Sequence, residues 1–551
     1  MIVSANDITP NEILESDVVV VGSGAAGIPM ALHLAEAGLD VILLEAGAES
    51  LDPRDQALYS GTVKDESLHA PADKYRQRRL GGSTVTWGGR CVPLDPVDFV
   101  ERSFVPNSGW PITNEDITPY YPPANDWLEA GEYAYNGGDA FPDSVPPMIR
   151  GFDSDRICTE GLERFSRPTD LYSRYKDRLN TSQNIRLIHE ANCTQISLDP
   201  SASEVKQLEV TTLAGKRFFV RCRYYVLAVG GIETARLLLA SNEVQKEGIG
   251  NKHDVVGRYY MCHIAGNVGK LTFNGAKTDI RHGYEISPDG IYCRRRISLT
   301  ESEQLKNNVN NVVFRLHFPR IADPIHKSGV LSFIYLMKPF ISYEYATRLR
   351  DGDGDTFGSM MRHVRNVLLS PFETASFGFR WIAKRNLATR KFPSIILDNK
   401  SNIFSLEVHG EQCPRADSRV YLSEEKDELG MPRVVIDWKY SKQDIESARV
   451  TLDILRQELE EQGVGTLEVD EEALEAALLR FGAYGGHHIG TTRMGTDPAT
   501  SVVDSNCRVH GVDNLYISGS AVFPTSGQAN PTLAITALAL RLADHISGRL
   551  S

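Results

Sequence analysis

The sequence predicts an α/β protein in which a parallel sheet with a small antiparallel meander is interleaved with an α+β region built on an antiparallel sheet. Three observations predict this class. A β-branched run leads into a glycine-rich turn and a helix near residue 20, a second strand–glycine–helix unit follows near residue 230, and strands alternate with loops between about 264 and 480. Buried parallel strands are typically such continuous apolar runs.

The first unit carries the clearest local signal. Residues 18–21 form an apolar strand that runs directly into Gly22, Gly24 and Gly27, and a helix-prone segment follows. Glycines at this spacing allow a tight turn, a close approach to a pyrophosphate and close helix–strand packing. A second strand ends at Glu45, 18 positions after Gly27, where a carboxylate can accept hydrogen bonds from a ribose. The unit predicts a Rossmann-type dinucleotide-binding domain, and the motif alone does not separate FAD from NAD.

The later elements follow from the same patterns. We predict the meander over residues 185–188, 193–198, 205–212 and 218–222. The parallel sheet resumes with strands at residues 225–229 and 514–520, and the helices are predicted at residues 359–369, 443–462 and 531–546. The predicted dinucleotide domain is discontinuous, residues 1–263 and 481–551, and residues 264–480 form the predicted substrate domain.

Composition and charge exclude several classes of function. Hydrophobic residues make up 41% and charged residues 24%, typical of a folded globular chain. The net charge of −13 would repel nucleic acid, so no nucleic-acid partner is expected. The first sixteen residues lack a basic start and an apolar stretch, and no long apolar run occurs, so we expect a cytoplasmic protein without a transmembrane segment.

We expect no metal site. The eight cysteines are dispersed without zinc-type spacing. The acidic run at Asp351, Asp353 and Asp355 resembles the start of a calcium loop, but Thr356 and Arg362 stand where that loop needs Gly and Glu.

One segment contrasts with the acidic chain. Residues 359–392 hold seven Lys or Arg against the single acid Glu373, interleaved with phenylalanines and Trp381. Three interpretations remain open: a membrane-surface patch, a docking face for a redox partner or subunit, or a lid whose charges are solvated.

Several motifs together resemble the glucose-methanol-choline family of FAD-dependent alcohol oxidoreductases. Besides the first unit, they are Gly81-Gly82-Ser83-Thr84, Gly109-Trp110-Pro111, Gly230-Gly231-Ile232-Glu233, Asp254-Val255-Val256-Gly257-Arg258, His487-His488-Ile489-Gly490-Thr491, and Ala529-Asn530-Pro531-Thr532. Their order also matches the family. The late signatures are most similar to the branch that contains pyranose oxidase and the fructose and gluconate dehydrogenases.

The resemblance implies the reacting residues. The family's catalytic histidine corresponds to His487 and its partner to Asn530, and both would also contact substrate. A neutral imidazole is a natural base for an alcohol proton, and an amide can orient the hydroxyl. His488 is the local rival, because neighbouring strand residues point to opposite sides.

The resemblance also implies where the flavin is held. The expected cofactor contacts are Gly22, Gly24, Ala26, Gly27, Glu45, Ala46, Gly82, Ser83, Trp87, Cys193, Gly230, Gly519, Ser520, Asn530 and Thr532. Thr86 occupies the place where pyranose oxidase has a histidine linked to FAD. Threonine cannot form that link, so we expect non-covalent FAD.

The resemblance points to sugars as substrates. We expect oxidation of a secondary hydroxyl of a pyranose or glycoside to a keto-sugar, with Gln412 as a further substrate contact and oxygen or a quinone-type compound as electron acceptor. The alternatives are a sterol or other apolar alcohol at the same site, a redox-neutral lyase, and a non-catalytic flavoprotein.

Overall fold

A parallel sheet forms the centre of the molecule, seen in a computed structural model that describes residues 1–142, 146–317, 321–322, 324–341, 356–388, 390–393 and 402–550. Ile13–Val21, Val41–Leu44 and the second half of Arg217–Leu227 lie side by side in parallel register. The strand order in this sheet is Ile2–Ser4, Ile185–His189, Val41–Leu44, Ile13–Val21, Arg217–Leu227, Val205–Thr211 and Asn192–Leu198, with Leu515–Ile517 also paired to Arg217–Leu227. This confirms the predicted α/β class.

The meander differs from the prediction in two respects. Ile185–His189 is not part of it, because this strand pairs in parallel with Val41–Leu44 and Ile2–Ser4. Arg217–Leu227 is one continuous strand, whereas the sequence suggested two. Its first half pairs antiparallel with Val205–Thr211 and its second half pairs in parallel with Ile13–Val21. The arginines near position 223 interrupt the apolar pattern, which explains why the sequence indicated two strands instead of one.

Three further sheets occur in the described part of the chain. One contains Gly465–Glu468, His263–Phe273, Ile403–Glu411, Val312–His317, Ile297–Leu299 and Ile157–Cys158. The second contains Glu285–Ile286, Tyr292–Arg295, Leu162–Phe165 and Arg90–Cys91, and the third Arg419–Lys426, Pro432–Asp437 and Gly61–Val63. Strands that precede residue 264 therefore pair with strands of the predicted substrate domain.

Helices cover the sheets and bury apolar faces against them. They are Gly27–Glu36, Pro53–Ala57, Asn114–Ile117, Tyr121–Trp127, Gly137–Ala140, Leu171–Thr181, Gly231–Ala240, Glu301–Asn307, Gly329–Leu336, Phe357–Leu369, Pro371–Trp381, Lys442–Glu461, Leu474–Leu478 and Thr532–Leu550. Among the described residues, none of these helices is both long and apolar enough to cross a bilayer.

Among the described residues, two large apolar cores and two small apolar clusters result. The larger packs the parallel sheet against Gly27–Glu36 and Thr532–Leu550, and the second fills the space between the antiparallel sheet and Lys442–Glu461. The sheet that contains His263–Phe273 lines the same cavity as the carboxyl ends of the parallel strands, the edge at which open α/β sheets bind ligands.

Candidate active site

A cavity of about 880 Å³ lies at this edge. Its walls come from the turn after Ile13–Val21, the segments around residues 82–88 and 228–233, the sheet that contains Ile403–Glu411, and residues 485–488 and 518–532. The volume is at the upper end of the range for small-molecule and cofactor sites, about 300–1,000 Å³. One large ligand, or a cofactor together with a substrate, fits this space.

The glycines of the first turn shape one end of the cavity. Gly22 has φ +106°, a conformation that side chains rarely adopt. A Cβ on Gly27 would lie 1.8 Å from the carbonyl oxygen of Gly22, so this glycine permits the helix to start against the strand. A Cβ on Gly24 would meet nothing within 4 Å, and Gly24 lines the cavity. The backbone there is bare toward the space that a pyrophosphate would take.

Glu45 lines the cavity beside this turn. One carboxylate oxygen accepts hydrogen bonds from the backbone and side chain of Ser23, at 2.9 Å and 2.7 Å, and the other accepts one from the Gly47 amide at 3.1 Å. Burial raises the pKa of this carboxyl, and these donors oppose the shift. The oxygen that faces Gly47 accepts only one hydrogen bond from the described residues, so a ribose hydroxyl can donate to it.

The cavity brings together almost all predicted cofactor contacts. Gly27 does not line it, because its position serves helix–strand packing. The predicted contacts that line the cavity are Gly22, Gly24, Ala26, Glu45, Ala46, Gly82, Ser83, Trp87, Cys193, Gly230, Gly519, Ser520, Asn530 and Thr532. The Trp87 ring is fixed by its indole nitrogen, which donates to the carbonyl of Thr169 at 2.9 Å.

Polar atoms without partners also face this space. The side-chain oxygens of Ser518 and Asn530 are buried and make no hydrogen bond to the described residues, and both residues line the cavity. Buried polar atoms are normally satisfied, so their partners are expected on a ligand. The site therefore fits a dinucleotide cofactor. It offers an exposed glycine backbone, the Glu45 carboxylate as a hydrogen-bond acceptor, and two buried side-chain oxygens without partners among the described residues.

The two predicted reacting residues meet in the cavity although 43 positions separate them. The Asn530 side-chain nitrogen lies 3.2 Å from Nε2 of His487. Asn530 is held by the turn that begins Thr532–Leu550, and His487 follows the short helix Tyr484–Gly486. Two separate segments of the C-terminal part of the chain thus contribute to one point of the cavity wall.

His263 contacts the other ring nitrogen of His487, and the sequence did not indicate it. The two Nδ1 atoms lie 2.8 Å apart, and the rings meet edge to face. His263 is fully buried, and burial lowers its pKa to about 3. His263 therefore stays neutral at physiological pH. It begins a strand whose register was not evident from sequence, so its approach to His487 could not be predicted.

His409 completes a group of three imidazoles with His263 and His487, whose ligand atoms lie within 4.8 Å of one another. Nitrogens that share a tetrahedral zinc ion are about 3.3 Å apart. The 2.8 Å contact between His263 and His487 is that of a hydrogen bond, and Nδ1 of His409 lies 2.6 Å from the carbonyl oxygen of Gln528. Burial keeps the pKa of His409 well below its usual value. The group resembles a hydrogen-bonded cluster more than a metal site. The run at Asp351, Asp353 and Asp355 lies outside the described residues.

His488 also lines the cavity, but its ring takes part in a different cluster of side chains. Its Nδ1 lies 3.1 Å from the hydroxyl of Tyr260, and its ring stacks against that of His69. Burial lowers the pKa of His69 to about 4 and that of His488 well below its usual value. The carbonyl of His488 accepts a hydrogen bond from Ser520 at 2.8 Å. These contacts differ from those of His487, which faces Asn530.

A buried group of acids braces the loop that carries Asn530. Gln528 donates to Asp95 at 2.9 Å, and Asn311 donates to Asp95 and Asp98 at 2.9 Å and 3.0 Å. Burial, assisted by the nearby carboxylate of Glu411, raises the pKa of Asp98 to about 8.

Gln412 is not brought to the cavity. Its side chain is fully buried, accepts hydrogen bonds from the Cys262 amide and the Trp438 indole, and donates to the carbonyl of Lys439. All of its hydrogen-bonding groups serve the interior. Its neighbour Glu411 forms a fully buried, two-pronged ion pair with Arg102, at 2.7 Å and 2.6 Å. We therefore do not retain the predicted substrate contact at Gln412.

A helical lid forms a further part of the cavity wall. We define the lid as Gly329–Leu336, Phe357–Leu369 and Pro371–Trp381. It contributes Phe333, Ile334, Phe377 and Trp381 to the lining. The cavity therefore has a polar wall at His487 and an apolar wall at the lid.

Comparison with known proteins agrees with this architecture. Residues 414–539 match the family described as GMC oxidoreductase, and residues 16–258 match that described as pyridine nucleotide-disulphide oxidoreductase. The chain is 26% identical to 6'''-hydroxyparomomycin C oxidase of Streptomyces lividus and 24% identical to paromamine 6'-oxidase of Streptomyces fradiae, in each case over 97% of this chain and 92% of the relative. Pyridoxine 4-oxidase from Mesorbium loti shares the fold, with a TM-score of 0.53 and 19% identity over 96% of this chain and 98% of that one.

Fold and site together define a flavin-binding oxidoreductase that acts on alcohol-type hydroxyls. Its residues 414–539 resemble the corresponding part of GMC oxidoreductases.

Proposed function

We propose that this enzyme oxidises a secondary hydroxyl of a pyranose, free or as a glycoside, with non-covalently bound FAD. The pairing of His487 with Asn530 in the wall of the cavity carries the proposal. An alcohol oxidation needs a base for the hydroxyl proton and a donor that holds the oxygen while the carbon loses a hydride. These two side chains supply both.

We infer the tautomer of His487 from its hydrogen-bond partners. The Asn530 amide donates to Nε2, so Nε2 carries the lone pair and Nδ1 carries the proton. The nitrogens are 3.2 Å apart, so a hydroxyl oxygen can sit about 2.9 Å from both. In that position the substrate hydroxyl replaces the Asn530 amide as the donor to Nε2 of His487, and Asn530 donates to the hydroxyl oxygen. The proton passes to Nε2 as the carbon–hydrogen bond breaks.

His263 acts on His487 as a positioning residue. Because Nδ1 of His487 carries a proton, Nδ1 of His263 must accept it at the 2.8 Å contact. Its depressed pKa keeps His263 neutral and able to accept. The contact holds the ring of His487 in place and stabilises the charge that forms when Nε2 takes the substrate proton.

The flavin ring system supplies the hydride acceptor when FAD is bound. In this chain the pyrophosphate would lie on the backbone near Gly24, and the ribose would lie at Glu45. Thr86 lines the cavity but offers only a hydroxyl, so we propose that no covalent link forms.

The two walls of the cavity support a glycoside in particular. Arg90, Arg294 and Glu407 contribute charge near His409, whereas Phe377 and Trp381 offer apolar surface. A sugar ring suits the polar wall, and an apolar aglycone suits the lid. The relatives named 6'''-hydroxyparomomycin C oxidase and paromamine 6'-oxidase support an oxidation at a hydroxyl of a sugar-type substrate.

The apolar lid also favours a second candidate, a sterol or other apolar alcohol. Such a substrate would use the same His487 and Asn530 but would place apolar surface against the charged wall, which makes it the weaker candidate.

Anaerobic mixing of the yellow protein with free pyranoses, their alkyl glycosides and sterols tests the proposal. We expect glycosides to bleach the flavin absorbance and the isolated product to be a ketone. Reduction by sterols alone would favour the second candidate, and an aldehyde product would contradict a secondary hydroxyl. Reduction by no alcohol would contradict both and favour a lyase. Readmitted oxygen, compared with an added quinone, then identifies the electron acceptor.

A further inference from the structure

The outer face of the lid is the most apolar exposed surface of the described chain. Its most exposed large apolar side chains range from 69% exposure at Leu369 to 90% at Phe372. Together with the adjoining Phe340, the lid carries the six most exposed large apolar side chains in the described ranges: Phe340, Phe357, Leu368, Leu369, Phe372 and Phe379. Isolated exposed apolar residues are ordinary, but such a concentration marks an interaction surface.

The polarity of the lid helix Phe357–Leu369 is inverted. His363 and Asn366 are buried, and each lies within hydrogen-bond distance of the Ser332 hydroxyl, at 3.0 Å and 3.1 Å. Phe357 and Leu368 face outward instead. A surface helix of a water-exposed protein places apolar residues inward. The inverted arrangement suits a helix whose outer face meets an apolar medium.

Positive charge accompanies the apolar side chains. Arg362, Arg365, Arg380 and Lys384 are exposed on the same segment, which contains the single acid Glu373, while the whole chain carries a net charge of −13. A second copy docked symmetrically on this face would bring like charges together. An anionic surface complements the positive charge of this face. The same surface would repel the rest of the molecule, which is negatively charged.

We propose that the outer face of the lid binds the surface of an anionic lipid bilayer. Phenylalanine and leucine side chains enter the boundary between headgroups and acyl chains, and the arginines and Lys384 contact lipid phosphates. This attachment is peripheral, and it places the apolar wall of the cavity next to the membrane. The proposal is independent of the substrate proposed above.

Flotation of the flavin-loaded enzyme with lipid vesicles tests it. We expect the wild type to float with vesicles of phosphatidylcholine and phosphatidylglycerol, less with phosphatidylcholine alone, and less at high salt. The variant Phe372→Ser/Phe379→Ser should partition at least about tenfold more weakly. The matched control Leu51→Ser/Ile286→Ser removes exposed apolar side chains elsewhere and should float like the wild type.

Flavin absorbance confirms that each variant is folded. No flotation of the wild type with any vesicle, or equal flotation of the phenylalanine variant, would overturn the proposal. So would a dimer, detected by sedimentation, that dissociates in the phenylalanine variant, because a second copy would then cover this face.

Discussion

At the scale of single residues, the chemistry depends on how His487 is held. Its two ring nitrogens have different partners, Asn530 on one side and His263 on the other. The sequence predicted the first pair through motifs. It could not predict His263 or His409, because their approach depends on the pairing of two strands that are distant in sequence, His263–Phe273 and Ile403–Glu411.

Replacing His263 tests its positioning role. His263→Phe keeps a buried ring but cannot accept a proton from Nδ1 of His487. We expect the limiting rate of flavin reduction to fall about 10- to 100-fold with little change in substrate affinity. His263→Asn retains an acceptor and should recover part of the rate. Equal rates in both variants, or a loss confined to affinity, would assign His263 a purely structural part.

At the scale of elements, the glycine turn is the part that the sequence predicted best. Strand, turn and helix are contiguous, so local conformational preferences determine their geometry. The structure nevertheless separates two functions that the motif combines: Gly27 permits helix packing, whereas Gly24 faces the cavity. Gln412 shows the opposite case, because a strand position alone did not reveal that its side chain points into the interior.

Gly24→Val separates the fold from cofactor binding. The new side chain meets no protein atom within 4 Å at its Cβ, but it would enter the space expected for the pyrophosphate. We expect a folded protein whose ratio of flavin to protein absorbance is strongly reduced. Gly548→Val, at an exposed helical glycine with equally open surroundings, is the control and should retain its flavin. A fully yellow Gly24→Val protein would place the pyrophosphate elsewhere.

At the scale of the whole molecule, the cavity is assembled from chain segments hundreds of residues apart. Asp98 exemplifies this, because it contacts Asn311 and lies beside Glu411 and the loop of Gln528. The sequence predicted the α/β class and the relation to a known family. It did not predict which early strands join the later sheets, since that pairing has no local signal.

The raised pKa of Asp98 gives a pH dependence with a defined sign. The value is about 8 in the folded protein and about 3.9 in the unfolded chain. The folded state therefore binds more protons between these values, and the stability from neutral Asp98 is complete below about pH 4 and is lost as pH rises through 8. Asp98→Asn is always neutral, so its urea midpoint should fall less than that of the wild type between about pH 5 and 8.5. If the urea midpoints of the wild type and Asp98→Asn fell equally with pH, the raised pKa of Asp98 would be contradicted.

The central claim is that His487, and not its neighbour His488, takes the substrate proton. Rapid-mixing measurement of flavin reduction by a substrate from the panel tests it in His487→Ala and His488→Gln. We predict a loss of about 10²- to 10⁴-fold in His487→Ala and a much smaller change in His488→Gln, with flavin bound in both. An unchanged rate in His487→Ala, or a loss that follows His488 instead, would contradict the account.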